Sequence, residues 1–179
     1  MINPISALSA NLGTPQRSFL WQVVFPNIIG GGGDTTSLLL RAQTASLPER
    51  SQGVITVPFQ QGPALQIPGK LTYPHTWDVV FVEGEDSLVM SSFYGWAQQM
   101  VNDQTNIAGG DFADISTTAL FQLISADGST VTSGYTFNSI WVQKIGQVGV
   151  DYENQAIIKI PITFQYQSWF ISNGPAATS

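Results

Sequence analysis

The residues able to do chemistry are few and poorly spaced for it. The chain has one histidine, His75, and no cysteine, which removes thiolate nucleophiles, thiolate metal sites and any disulfide frame. Asp78 lies three residues beyond His75. In a strand that separation puts the two side chains on opposite faces, so they cannot form a local dyad. Glu83, Glu85 and Asp86 could be read as paired carboxylates for glycoside chemistry. Two of them, Glu85 and Asp86, stand just before an apolar run of helical period and are better explained as complements to a helix N-terminus, with Asp86 as a cap. Asp111 with Asp114, and Asp151 with Glu153, lack the ligand count and spacing of a calcium loop and are read as solvated turn acids.

Two glycine-bearing segments invite a phosphate-binding reading, and both fail it. Gly30 to Gly33, followed by Asp34, lacks the third glycine of a dinucleotide fingerprint and the lysine of a P-loop, so it is read as a flexible hairpin connection. Between Gly62 and Lys70 six residues rather than four separate the glycines, and Leu71 stands where a Ser or Thr would bind magnesium. No G-x-S-x-G elbow or HExxH helix occurs. The expectation is a protein that is not an enzyme and uses no cofactor and no metal. Of the five tryptophans, Trp21, Trp77 and Trp96 fall on apolar faces and are assigned to the core. Trp141 and Trp169 keep open a sugar-binding platform.

Composition narrows the class further. Charged residues make up 10% of the 179, against a usual ~25%, so much of the surface is neutral and polar and suited to packing against copies of itself. The net charge of −6 and a pI near 4.4 remove the attraction that dominates nucleic-acid affinity. No window approaches the ~18–20 apolar residues of a membrane span, and residues 1–17 lack the basic and apolar regions of an export signal. A protein made in a cytoplasm, without a membrane partner, is expected.

The elements that must position these residues are mostly strands. In 155–170 (QAIIKIPITFQYQSWF) the even positions from Ala156 to Tyr166 are apolar and most odd ones polar, the period of one long half-buried strand. Pro161 within it requires a free edge, a bulge or another chain. Phe19, Trp21, Val23 and Phe25 mark a first strand, and Ser37 to Ser46 a second. His75 to Val82, Thr118 to Ser125 and Tyr135 to Lys144 follow, the last two joined at an Asp127-Gly128 turn. Leu88, Val89, Phe93, Trp96, Ala97, Met100 and Val101 form the stripe of one amphipathic helix over 87–102, and 103–116 reads as loop. The segment 47–70 holds four of the ten prolines and reads as a stiffened excursion, with Val54 to Phe59 as its one short strand. A loop of that length inside a compact domain is usually functional. The sum is a mainly β, antiparallel sandwich or partly closed barrel with one packed helix. It comprises an N-terminal arm (1–17), a single β domain (18–171) carrying the arm at 47–70, and a C-terminal tail (172–179).

In order and character the segments resemble the tail tube proteins of contractile-tailed bacteriophages, which are related in fold to the tube protein of type VI secretion. The resemblance is carried by Ser18 to Phe25 (SFLWQVVF), Arg41 to Pro48 with TASLP, the excursion to Lys70, HTWDVVFVEGEDS leading to WAQQMVND, and the closing NSIWVQKIGQVGVDYENQAIIKIPITFQYQSWF. It implies a structural protein of the virion tail, assembled in the host cytoplasm. Homo-hexameric rings would stack helically into a hollow tube that conducts double-stranded DNA during ejection without binding it specifically. Sheath, baseplate and tail terminator proteins are the implied partners. The stacking arm would use Leu47, Pro48, Val54, Val57, Pro58, Phe59, Leu65, Ile67 and Pro68, and Asp34, Glu49 and Asp127 are candidate lumen acids. The competing readings are the tube of a type VI-like or bacteriocin-like contractile injection system and, from another class, a carbohydrate-binding β-sandwich.

Overall fold

A computed structural model describes residues 16–30, 35–60, 62–150 and 156–172. The glycines at 31–33, Asp34, the turn containing Asp151 and Glu153, and the two ends (1–15 and 173–179) lie outside the described residues.

The strand expected at Tyr135 to Lys144 is longer, spanning Val131–Ile145 (β7), and its buried side changes phase midway. Tyr135 and Phe137 pack into the apolar core on odd numbering, Ile140 and Val142 on even, while Gly134 and Thr136 are also buried in the first half. Such a switch needs one extra residue, and two residues of β7, Asn138 and Ser139, stand where the register against Thr117–Ile124 (β6) allows one. Ser139 takes φ 50. This is a bulge, which bends the strand and re-aims its side chains. The first half of β7 pairs with β6, which pairs with Trp21–Val24 (β1). Its second half pairs with Lys159–Gln165 (β8), followed by Thr76–Val82 (β5) and Ala42–Ala45 (β2). All pairings are antiparallel, and the path from β1 to β2 is open rather than closed into a barrel. The result is sandwich-like, two layers sharing a bent strand at their corner.

The single strand expected at 155–170 is two, β8 and Ser168–Ser172 (β9). They keep one register along β7, Gln165 opposite Trp141 and Ser168 opposite Asn138, but the strand does not reach 156–158, where Ala156 and Ile158, expected on the buried face, are exposed and outside both strands. The break falls at Tyr166 and Gln167, opposite the bulge, where the Tyr166 N–H turns to the His75 carbonyl at 2.9 Å. Pro161 sits where the β7 ladder runs out. Its carbonyl accepts from the Gly146 N–H at 2.7 Å, one step past the last paired residue, Ile145, so its missing N–H costs at most a terminal bond.

Even-numbered Ile160, Ile162, Phe164 and Tyr166 are buried, with Trp77, Val79 and Phe81 of β5 beside them. Leu88–Met100 (α2), close to the expected helix, lays Phe93 and Trp96 on this layer, with ring centroids 5.6 and 6.2 Å from Phe164. Trp77 stacks on Phe137 at 4.3 Å and ties the two layers together. The indole N–H of Trp77 reaches the Ser46 carbonyl at 2.7 Å, and that of Trp96 the Ile115 carbonyl at 2.9 Å.

Three expectations are corrected. Ser37 to Ser46 is not a strand: Thr35–Arg41 forms a helix (α1) before the short β2. Consecutive leucines favour a helix by propensity, and burial of Leu38 with exposure of Leu40 serves one helical face. The glycine run therefore joins a strand to a helix, not two strands. The excursion at 47–70 is no loop, because Ser51–Phe59 (β3) and Gly62–Thr72 (β4) pair as a sheet of their own. In a two-stranded sheet each strand is an edge, where prolines are tolerated. The loop at 103–116 contains one helical turn, Phe112–Ile115 (α3).

The corner makes a specific demand on residue 139. Ser139→Gly should hold or raise stability, since glycine takes a positive φ without steric cost, while Ser139→Val should lower it by about 1–2 kcal/mol. Urea unfolding followed by tryptophan fluorescence measures both.

Candidate assembly surface

The side chains that suggested chemistry are used by the fold. His75 takes φ 63, and its Nδ1–H donates to the Tyr166 carbonyl at 2.9 Å. Asp78 instead accepts from the Thr163 hydroxyl at 2.6 Å, so the two do not meet. Glu83 is the true cap of α2, although it lies outside the helix. Its Oε1 accepts from the Val89 N–H at 3.1 Å and its Oε2 from the Met90 N–H at 2.8 Å. Asp86 contributes a longer bond, 3.3 Å from the Leu88 N–H. Arg41 clamps Asp86 through two bonds of 2.7 and 2.6 Å and lies 3.6 Å from Glu83. That fork holds the Asp86 carboxyl below the usual carboxylate range and raises the Arg41 guanidinium. Glu85 stays exposed. Among the described residues no group of three or more His, Asp or Glu could hold a metal ion.

The tryptophans offer no free platform. Trp77 and Trp96 are buried, Trp21 stacks on Phe121 at 5.6 Å, and Trp141 and Trp169 are half-buried. Trp169 packs against Tyr73 and Tyr135, and its indole N–H donates to the Glu49 carbonyl at 3.1 Å. A sugar-binding reading required Trp169 or Trp141 to sit exposed, and both are half-buried.

What stands out instead is the β3–β4 hairpin. Its register sets Ile55 opposite Ile67 and Val57 opposite Leu65, with Val54 opposite Pro68 and Phe59 opposite Gly62. Strand alternation then gathers Ile55, Val57, Phe59, Leu65 and Ile67 on one face, while Thr56 and Gln66 bond at 2.8 Å on the other. Four of the nine expected arm residues, Val57, Phe59, Leu65 and Ile67, share this face, Val54, Pro58 and Pro68 fall on the opposite one, and Ile55 is a member that the sequence reading did not select. Val54, Ile55, Phe59, Leu65 and Ile67 are all exposed. Leu47 and Pro48 lie before the hairpin, and Leu47 is exposed too.

The roots of this hairpin are fixed by the core corner. Before β3, the Ser46 and Glu49 carbonyls accept from Trp77 and Trp169. After β4, His75 and Tyr166 exchange two bonds of 2.9 Å. These links were invisible in the sequence because each joins segments far apart in the chain, three of them through a side chain and one, Tyr166 to the His75 carbonyl, through backbone alone. Of the expected lumen acids, Asp34 lies outside the described residues, and the other two occupy different connections. Glu49 is exposed beside the hairpin root. Asp127 sits in the β6–β7 turn, where the Ser129 N–H and hydroxyl donate to it at 3.0 and 2.8 Å and lower its pKa.

The fold recurs in contractile injection machines. A chain of the sheath-tube complex of the PVC extracellular contractile injection system, in its extended state, superposes with a TM-score of 0.65 at 12% identity, over 96% of this chain and 99% of that one. A chain of that system's sheath/tube terminator gives 0.66 at 12% identity over 90% and 99%. A chain of the tube-terminating cap of the anti-feeding prophage gives 0.63 at 14% over 89% and 92%. No protein of curated function matches in sequence. The family model for the phage tail tube protein matches residues 27–172, and the chain belongs to that family.

Arg41 and Asp86 generate a pH prediction. The folded-state carboxyl has a lower pKa than the unfolded chain's, so its contribution is complete above the unfolded value, about 3.9. It is lost as pH falls through the lower folded value. Asp86→Asn should therefore melt below the parent at pH 7, and the gap should close as the pH is brought well under 4, as read by calorimetry.

Proposed function

We propose that this chain is the repeating subunit of the inner tube of a contractile phage tail. Six copies would close a ring, and rings would stack into a hollow conduit for double-stranded DNA. The observation that carries the reading is the uncovered apolar face of the β3–β4 hairpin. A lone two-stranded hairpin is marginal in water, and Ile55, Phe59, Leu65 and Ile67 would each gain roughly 1 kcal/mol if their exposed halves were covered. A neighbouring copy supplies that cover in this reading. The unit that assembles is one β domain over 18–171, with the arm at 47–70 and the ends at 1–17 and 172–179 as further contact segments.

Free strand edges support ring closure. Among the described residues, β1 and β2 end the main sheet with one side unpaired, and β9 pairs with β7 alone. Continuing such edges into the next copy removes a pairing hazard. Six copies at a net −6 each carry roughly −36 per ring, which disfavours retention of passing phosphates. Glu49 and Asp127, with Asp34, are the acids proposed to face the lumen. Sheath, baseplate and terminator proteins are the further partners in the virion tail, assembled in the host cytoplasm. The injection-system folds that this chain shares favour one second reading, the tube of a contractile injection system that carries no genome.

Purified protein should form hollow rings or tubes in negative-stain electron microscopy. Deleting residues 48–68 should leave the far-ultraviolet circular dichroism of a folded β protein while abolishing stacking. Tubes of ordinary length from the deletion would overturn the role given to the arm, and tubes without DNA in the native particle would favour the second reading.

A further inference from the structure

One exposed turn carries a chemistry of its own. Asp127-Gly128 is the one Asp-Gly step in the chain, and it lies exposed between β6 and β7. An aspartate followed by glycine is open to rearrangement, because the next residue has no side chain to hinder attack on the carboxyl group. The Gly128 nitrogen, once it has lost its proton, would bond to Cγ of Asp127 while one oxygen of the protonated carboxyl leaves as water, closing a succinimide ring. Water then reopens the ring at either carbonyl. Reopening at the backbone carbonyl leaves the chain running through the former side chain, as isoaspartate. One water leaves and one returns, so no oxidant, reductant or other reactant is needed.

The hydrogen bonds of the turn oppose each requirement of that reaction. Ser129 holds both carboxylate oxygens, its N–H donating to Oδ1 at 3.0 Å and its hydroxyl to Oδ2 at 2.8 Å. Bonds to the charged form favour it, so the protonated carboxyl that ring closure needs is depleted at any pH above the lowered pKa. The Ser125 hydroxyl adds to that shift. The nucleophile is engaged as well. The Gly128 N–H donates to the Ser125 carbonyl at 2.9 Å, which opposes its deprotonation and points it at Ser125. The turn is closed behind them by the Ser125 N–H on the Thr130 carbonyl at 2.8 Å. Crowding gives no protection, since Gly128 takes φ 73 with nothing within 4 Å of where a Cβ would stand. We infer that Asp127-Gly128 is a latent isoaspartate site held closed by Ser129 and the Ser125 carbonyl. Its conversion would lengthen the backbone by one carbon at the tip of the β6–β7 hairpin, which leads into the bulge at Asn138 and Ser139. The inference is independent of the ring reading, since it needs only the folded chain.

The test ages the full chain for weeks in mildly acidic buffer, folded and, in parallel, unfolded in urea. Isoaspartate at position 127 is counted by peptide mapping with electron-transfer fragmentation. The folded chain should accumulate it roughly tenfold more slowly than the unfolded one. Ser129→Ala should speed accumulation several-fold in the folded chain, while Ser129→Thr, which keeps both donors, should age like the parent. In urea all three chains should age alike. Circular dichroism checks that the variants stay folded, and should Ser129→Ala loosen the hairpin, Ser125→Ala should still give a smaller acceleration. Equal rates in the folded and unfolded parent would overturn the inference, and so would a folded Ser129→Ala chain that ages no faster than the parent.

Discussion

The bend of β7 at Asn138 and Ser139 is the constraint from which the rest of the structure follows. One inserted residue rotates the buried side from Phe137 to Ile140 and Val142, and so lets one strand serve two layers. Opposite it, β8 and β9 part at Tyr166 without losing register. The backbone groups released there do not go unpaired, which would cost ~1–3 kcal/mol each. The Tyr166 N–H and carbonyl are both taken up at His75, and the Gln167 N–H goes to the Asn138 carbonyl at 3.1 Å.

That same corner aims the hairpin. His75 sits at its exit and Glu49 at its entry, and both are bonded within the four residues from Tyr166 to Trp169. A projecting segment with fixed roots loses less conformational freedom when a partner covers it than a loop with free roots would, so more of the burial energy survives as affinity. The positive φ of His75 is strain of the kind that persists only when the surroundings over-determine it. Here its ring and backbone bonds to Tyr166 do so.

Much of this was legible from residues. Even-odd alternation from Ile160 to Tyr166 located the central buried strand, and the stripe through Phe93 and Trp96 located the helix to within about two residues. What failed, failed for local reasons. Leu38 to Leu40 reads equally well as a short apolar strand, and only helical propensity with burial of Leu38 decides otherwise. Pro58, Pro63 and Pro68 hid the alternation of the hairpin, because a proline argues against a central strand but not against a sheet with two edges. The helix N-terminus was assigned to Glu85 and Asp86, and Glu83 was left without a part in it. Its actual use, capping Val89 and Met90 from six and seven residues away, depends on the chain turning back at Gly84, which no periodicity announces. Arg41, the partner of Asp86, lies 45 residues away in sequence.

Sparse charge completes the physical picture of a subunit made to be covered. Removing an unpaired ion from water costs several kcal/mol, whereas a neutral amide or hydroxyl that finds a partner across an interface costs far less. Among the described residues Arg41 is the only cation in an ion pair. That pair is internal work, joining the end of α1 to the start of α2 across the end of β5. Elsewhere the surface offers glutamine, threonine and serine beside exposed aliphatic side chains. Such a surface gives up little hydration when a neighbour arrives. The acids that remain are concentrated between Lys70 and Lys144, so the energetic resistance to burial is uneven around the molecule. It is lowest along the uncharged stretch from Ser51 to Gly69, which contains no Lys, Arg, Asp or Glu, and this is the stretch that the corner holds out from the core.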